Sequence, residues 1–145
     1  GGLERGIDGG KKTKGRKQHI ITDTMGLILT VVIHAANVHD SKATFSVIKE
    51  LRGRFPQLSK IIADGGYRGQ LLEQVQKAFG WILKIVLRPE QTKKFVVLHK
   101  RWIVERTFSW FESYRRLSKD YEVDTESSKN MIHLTMIQIM LNRVK

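Results

Sequence analysis

Two acids stand where they could do chemistry, Asp64 and Glu105. Asp64 closes the run Leu-Ser-Lys-Ile-Ile-Ala and is followed by Gly65-Gly66-Tyr67. An acid at the carboxyl end of a strand sits where ligands gather in open α/β sheets. The glycines let the backbone turn tightly and leave room for a group to approach the carboxylate. An ordinary Asp-Gly turn is the plainer reading of the same residues. Glu105 lies within Arg-Trp-Ile-Val-Glu-Arg-Thr-Phe-Ser-Trp-Phe-Glu-Ser-Tyr, residues 101–114. Wound as a helix at about 100° per residue, this stretch gathers Ile103, Val104, Thr107, Phe108, Trp110, Phe111 and Tyr114 on one apolar arc. Arg101, Glu105, Ser109 and Glu112 fall opposite. Glu105 is then a carboxylate displayed by an anchored helix, with a solvated surface charge as the bland alternative.

Two carboxylates on separate elements suit a hard divalent cation. Mg²⁺ takes one or two carboxylates together with waters and phosphate oxygens. In a basic protein such a pair points to metal-assisted phosphodiester chemistry. The chain is basic, with a net charge of +12, and nucleic acid is the first partner that charge implies. At 145 residues it is long enough to bury one core. Its 41 % hydrophobic and 28 % charged content is that of a globular protein rather than a disordered one. It has no cysteine, which excludes disulfides and thiolate metal sites and agrees with a reducing cytoplasm. No apolar run approaches the ~18 residues of a membrane span, and no secretory leader is visible.

The elements that must position the two acids follow in order. Residues 1–17 are rich in Gly and Lys and read as a flexible basic arm, with Lys11, Lys12, Lys14, Arg16 and Lys17 able to neutralise DNA phosphates. Residues 19–23 and 27–34 read as a hairpin turning at Thr24-Met25-Gly26, its second strand apolar enough to be buried on both faces. A helix capped by Asp40 or Ser41 runs to about Arg54. The strand ending at Asp64, a helix over 69–79 closed by Gly80, and a strand over 81–87 come next. A polar loop and a short extended run over 95–98 precede a helix over 101–117. An acidic connector over 120–128 leads to a last helix over 130–144. The fold class is mixed α/β, a sheet with helices packed on it.

The ordered set Asp8-Gly-Gly-Lys-Lys, Asp23-Thr-x-Gly, Ala36-Asn-Val-x-Asp, Ala63-Asp-Gly-Gly-Tyr, Arg101-Trp-x-Val-Glu-Arg-Thr-Phe-x-Trp and Tyr114-Arg-Arg-Leu-x-Lys-Asp-Tyr-Glu is specific as a series. It resembles the catalytic domain of bacterial insertion-sequence transposases, in the branch named after insertion sequence five, from about Gly6 to Arg143. The resemblance implies a ribonuclease H-like fold. It also implies a triad of two Asp and one Glu holding two Mg²⁺ or Mn²⁺ ions. Asp64 matches the second Asp, Glu105 the Glu, and Arg101 the family's Arg one turn earlier, facing DNA.

Two departures accompany the match. Leu98 and Glu112 stand where related transposases often carry a Tyr and a Lys, and Arg106, Arg115 or Arg116 are the cations left to take over their DNA contacts. The first Asp belongs to a strand upstream of the Gly-Gly-Lys-Lys region. Residues 18–145 are therefore expected to be a ribonuclease H-like catalytic domain lacking its first strand, impaired in strand transfer as cut. A bacterial cytoplasmic location and a homodimer on paired transposon ends are family expectations. The alternatives are a non-catalytic DNA-binding relic and an unrelated basic protein such as an RNA-binding factor.

Overall fold

The computed structural model describes residues 6–8, 13–38, 40–64, 70–86, 100–119 and 121–144. Five strands and four helices occupy them: β1 (Gly6–Asp8), β2 (Thr13–Thr22), β3 (Ile28–Ala35), α1 (Asp40–Lys49), β4 (Lys60–Asp64), α2 (Gln70–Phe79), β5 (Ile82–Val86), α3 (Arg101–Glu112) and α4 (Thr125–Val144). The mixed α/β expectation holds. β1, β2 and β3 form an antiparallel sheet, and β4 and β5 form a parallel pair. The parallel pair is joined through α2, the crossover that parallel strands require.

The flexible arm expected over 1–17 is corrected where it is described. Gly6–Asp8 pairs with Thr13–Gly15, and β2 continues through Arg16 and Lys17 opposite Ala35 and His34. Glycines and lysines hid this strand, because a ladder bonds through the backbone whatever the side chains. The short run over 95–98 lies outside the described residues. α1 also stops earlier than expected, at Lys49, and the chain goes on to Arg54 through turns, with the amides of Leu51, Arg52 and Arg54 each bonded three residues back.

β3 separates two apolar clusters. On one side Val31 and Ile33 pack with Phe111 of α3 and Ile132, Met136 and Ile139 of α4. The other side holds Ile48 and Leu51 with Ile61 of β4, Leu71 and Val75 of α2 and Leu83 of β5, and Ile21 and Leu29 reach into it. A bulge makes this division. Ile21 pairs with Thr30 but Thr22 pairs with Ile28, so Leu29 is the extra residue. A bulge re-aims neighbouring side chains. Leu29 therefore joins one cluster while Ile28 and Val31 pack in the other. The hydroxyl of Thr30 donates to Glu50 Oε2 at 3.1 Å, and Lys129 of α4 pairs with the same carboxylate at 3.2 Å. The turn after α1, β3 and α4 are joined by that chain of contacts.

α4 begins at Thr125 although residues 120–128 read as a connector. The cause is Asp124, whose carboxylate accepts from the Ser127 amide at 2.8 Å and from its hydroxyl at 2.9 Å. That is the bonding of an N-cap to the third helical residue. These bonds hold the Asp124 carboxyl below its ordinary value. Among the described residues no helix is long and apolar enough to cross a membrane.

Candidate functional site

α3 carries its apolar arc inward as the spacing predicts. Ile103, Thr107 and Phe111 are buried, and Glu105, Ser109 and Glu112 are exposed. The helix is pinned to the β2–β3 turn by two bonds. The Thr107 hydroxyl donates to the Gly26 carbonyl at 2.8 Å, with the Ile103 carbonyl at 3.0 Å as its alternative acceptor. Arg106 Nη2 donates to the Met25 carbonyl at 2.8 Å. Glu105 is thus presented in the second turn of a helix fixed from beneath by packing and from the side by hydrogen bonds.

Asp64 is the last residue of β4 and is paired in register with Val86, the last residue of β5. Both parallel strands therefore end together at the acid, the edge at which α/β sheets collect ligands. Of Asp64 the backbone alone is described, and Gly65-Gly66-Tyr67 lie outside the described residues. Among the described residues no group of three His, Asp or Glu side chains is arranged to hold a metal ion.

The cations expected to bind DNA divide into groups. Lys11 and Lys12 lie outside the described residues, and Lys14 and Arg101 are placed by backbone only, in β2 and at the start of α3. Arg115 is exposed just after α3. Lys17 pairs with Asp40 at 3.2 Å, tying β2 to the start of α1. Arg116 pairs with Glu122.

Arg16 and Arg106 make contacts within the protein. Arg16 donates to the carbonyls of Glu122 and Asp124 at 3.3 Å each, to the Ser128 hydroxyl at 3.2 Å, and to the Val123 carbonyl. It clamps the connector and the start of α4 against β2. Carbonyls that a connector cannot satisfy within itself explain why a guanidinium is held there. Arg106 lies between two indoles, 4.4 Å from the ring centroid of Trp102 and 5.0 Å from that of Trp110. Arg143 of α4 covers Trp110 at 4.1 Å. Sequence reasoning missed Trp102, Trp110 and Arg143 as a group. The spacing of four that sets Trp102, Arg106 and Trp110 in a row was legible, but the role of Arg143 needs the packing of α4.

A family model described as "Transposase DDE domain" matches residues 2–142. The chain belongs to that family. The "Putative transposase for insertion sequence element IS402" of Burkholderia cepacia is 32 % identical over 116 residues, covering 74 % of this chain and 54 % of that protein. The chain thus spans about half the length of the curated relative it matches. No solved structure matches it. The insertion-sequence transposase resemblance is upheld at family level.

Proposed function

We propose that this chain carries the catalytic core of a DNA transposase, in which Asp64 and Glu105 are two of the carboxylates that bind divalent metal. The observation that carries the reading is their placement within a family match spanning residues 2–142. Asp64 ends a parallel strand, and Glu105 lies on the exposed face of a pinned helix.

The donor set suits Mg²⁺ or Mn²⁺, since both groups are hard oxygen ligands and no cysteine competes. When bound, a metal pair supplies charge neutralisation and activation of a water or 3′-hydroxyl for in-line attack on phosphorus. The chain's own part is positional. Thr107 and Arg106 hold α3 at the β2–β3 turn, and the apolar arc anchors its other side, so Glu105 reaches the reaction without first being ordered. Arg101 and Arg115 are the candidates for contacts to the DNA backbone in this reading. The basic surface gathers DNA, and the metals offset the repulsion between carboxylates and phosphates.

A ribonuclease H-like fold is the architecture we infer. An antiparallel hairpin, then a βαβ unit, then a helix bearing Glu agrees with it. Among the described residues, β4 pairs with β5 along one edge. With Asp64 and Glu105 as two of the three carboxylates such a site calls for, residues 1–145 bind metal weakly and transfer strands poorly. In this reading the protein works in the bacterial cytoplasm as a homodimer on paired ends.

A nicking and joining assay on the 145-residue chain with Mg²⁺ or Mn²⁺ tests this. Little or no turnover is expected. Robust turnover abolished by Asp64→Asn and by Glu105→Gln would refute the need for a further ligand while upholding the site. Turnover indifferent to both substitutions would refute the site itself.

A further inference from the structure

α4 is apolar on two opposite faces. Ile132, Met136 and Ile139 lie in one buried cluster with Val31 and Ile33 of β3. Wound at about 100° per residue, Leu134, Ile137, Leu141 and Val144 fall on the far side of the same helix. They are 59, 48, 60 and 86 % exposed, and Met140, which flanks them, is 37 % exposed. A helix that is apolar all round is ordinarily buried all round. An exposed apolar stripe of this extent marks an interaction surface.

We infer that this face of α4 seats the same face of α4 from a second copy of the chain, antiparallel about a two-fold axis. The inference rests on the homodimer of the reading above and gives it a surface. Spacing, charge and area select this occupant. The stripe recurs at intervals of three, four and three residues, the repeat by which two helices interlock their side chains. A face that meets itself across a two-fold must be self-complementary, and an uncharged apolar stripe is. Residues 133–142 hold no Lys, Arg, Asp or Glu, in a chain that is 28 % charged with a net charge of +12. Two copies of so basic a protein repel, and on this stretch they meet without opposing cations. The same lack of cations rules out a nucleic-acid backbone there. Five large side chains offer roughly 500 Å² per copy, so a symmetric pair buries about 1,000 Å², the area a specific contact must clear.

Charge also sets the direction. A parallel pair would bring together the basic ends, Arg143-Val144-Lys145, of both helices. An antiparallel pair parts them and sets the two helix dipoles in opposition. In that register Ile137 of one copy meets Leu141 of the other, and Leu134 meets Val144.

Sedimentation equilibrium of the 145-residue chain tests this, with the mass of one copy, 16.7 kDa, as the reference. The mass should double as concentration rises from micromolar toward millimolar. Ile137→Glu alone and Leu141→Lys alone should each hold the chain at the single mass with an unchanged melting temperature, since both positions are exposed. Mixing these two variants should restore the doubled mass. The introduced carboxylate of one copy then faces the introduced ammonium of the other, and the second layer stays apolar. A wild-type chain that keeps the single mass at every concentration would overturn the inference. So would a doubled mass that survives both single variants, or a mixture that stays single. Mn²⁺ binding and nicking do not enter these masses, so failure of the metal-site reading and failure of this contact give different results.

Discussion

The Thr107 hydroxyl and the Gly26 carbonyl meet at 2.8 Å across the junction of α3 with the β2–β3 turn. Gly26 has φ +85°, and a Cβ built on it would lie 2.9 Å from Thr107 Oγ1 and 3.1 Å from the Trp110 ring. Both members of the contact are therefore constrained, one by backbone conformation and one by a buried hydroxyl. Gly26→Ala should cost about 2 kcal/mol or more, from the left-handed backbone and the clash together. Thr107→Val keeps the shape but leaves the carbonyl unpaired, and should cost about 1–3 kcal/mol. Thermal melts check both, with falls on the order of 5 °C expected. The double variant should cost less than the sum of the two, since they share one contact.

Arg16 should prove to be a structural clamp and not a phosphate contact. Arg16→Ala leaves the carbonyls of residues 122–124 and the Ser128 hydroxyl without their donor. A loss of about 1.5–3 kcal/mol in urea unfolding is expected, with only part recovered by Arg16→Lys, which lacks the planar fork. The salt dependence of DNA binding should keep its slope. A slope shallower by about one charge with stability intact would instead place Arg16 on the DNA backbone.

Acid should weaken the fold through two histidines. Burial, then the stacked His34 ring and Lys17, lowers the pKa of His19 below 6.5, with Asp40 opposing. Burial, then Lys129 and Arg54, lowers that of His133, with Glu50 and Glu126 opposing. In each case the unfolded chain takes up the proton at higher pH than the folded one. Stability is thus fully present above about pH 6.5 and is lost as pH falls through 6.5 toward the folded values. Urea midpoints at pH 8 and pH 5 measure the drop, and His19→Gln with His133→Gln should shrink it. An unchanged drop in the double variant would assign the acid sensitivity to other groups.

What was legible beforehand follows the physics of each element. The arc of α3 was readable because burial imposes a helical period, and Glu105 came with it as the outward residue. The hairpin was readable from β-branched runs around Gly26. β2 before Gln18 was not, because backbone pairing leaves no mark in a Gly- and Lys-rich stretch. The start of α4 was misplaced because Asp124 and Glu126 look like solvated acids until one of them is seen capping a helix. The internal contacts of Arg16 were hidden for the converse reason. A guanidinium that bonds carbonyls more than 100 residues away reads in sequence like any other cation in a basic run.

Asp64 stood out in the sequence by its position at a strand end before two glycines, and β4 does end there beside β5. The partnership of Asp64 with Glu105 rests on family membership and on these two placements. Mn²⁺ titration of the 145-residue chain, followed by paramagnetic broadening of its amide signals, tests that partnership most directly. Signals around Asp64 and Glu105 should broaden together at the same Mn²⁺ concentration, and either Asp64→Asn or Glu105→Gln should abolish both effects. Broadening confined to other acids such as Asp124 and Glu126, or loss at one site with the other untouched, would contradict a shared metal.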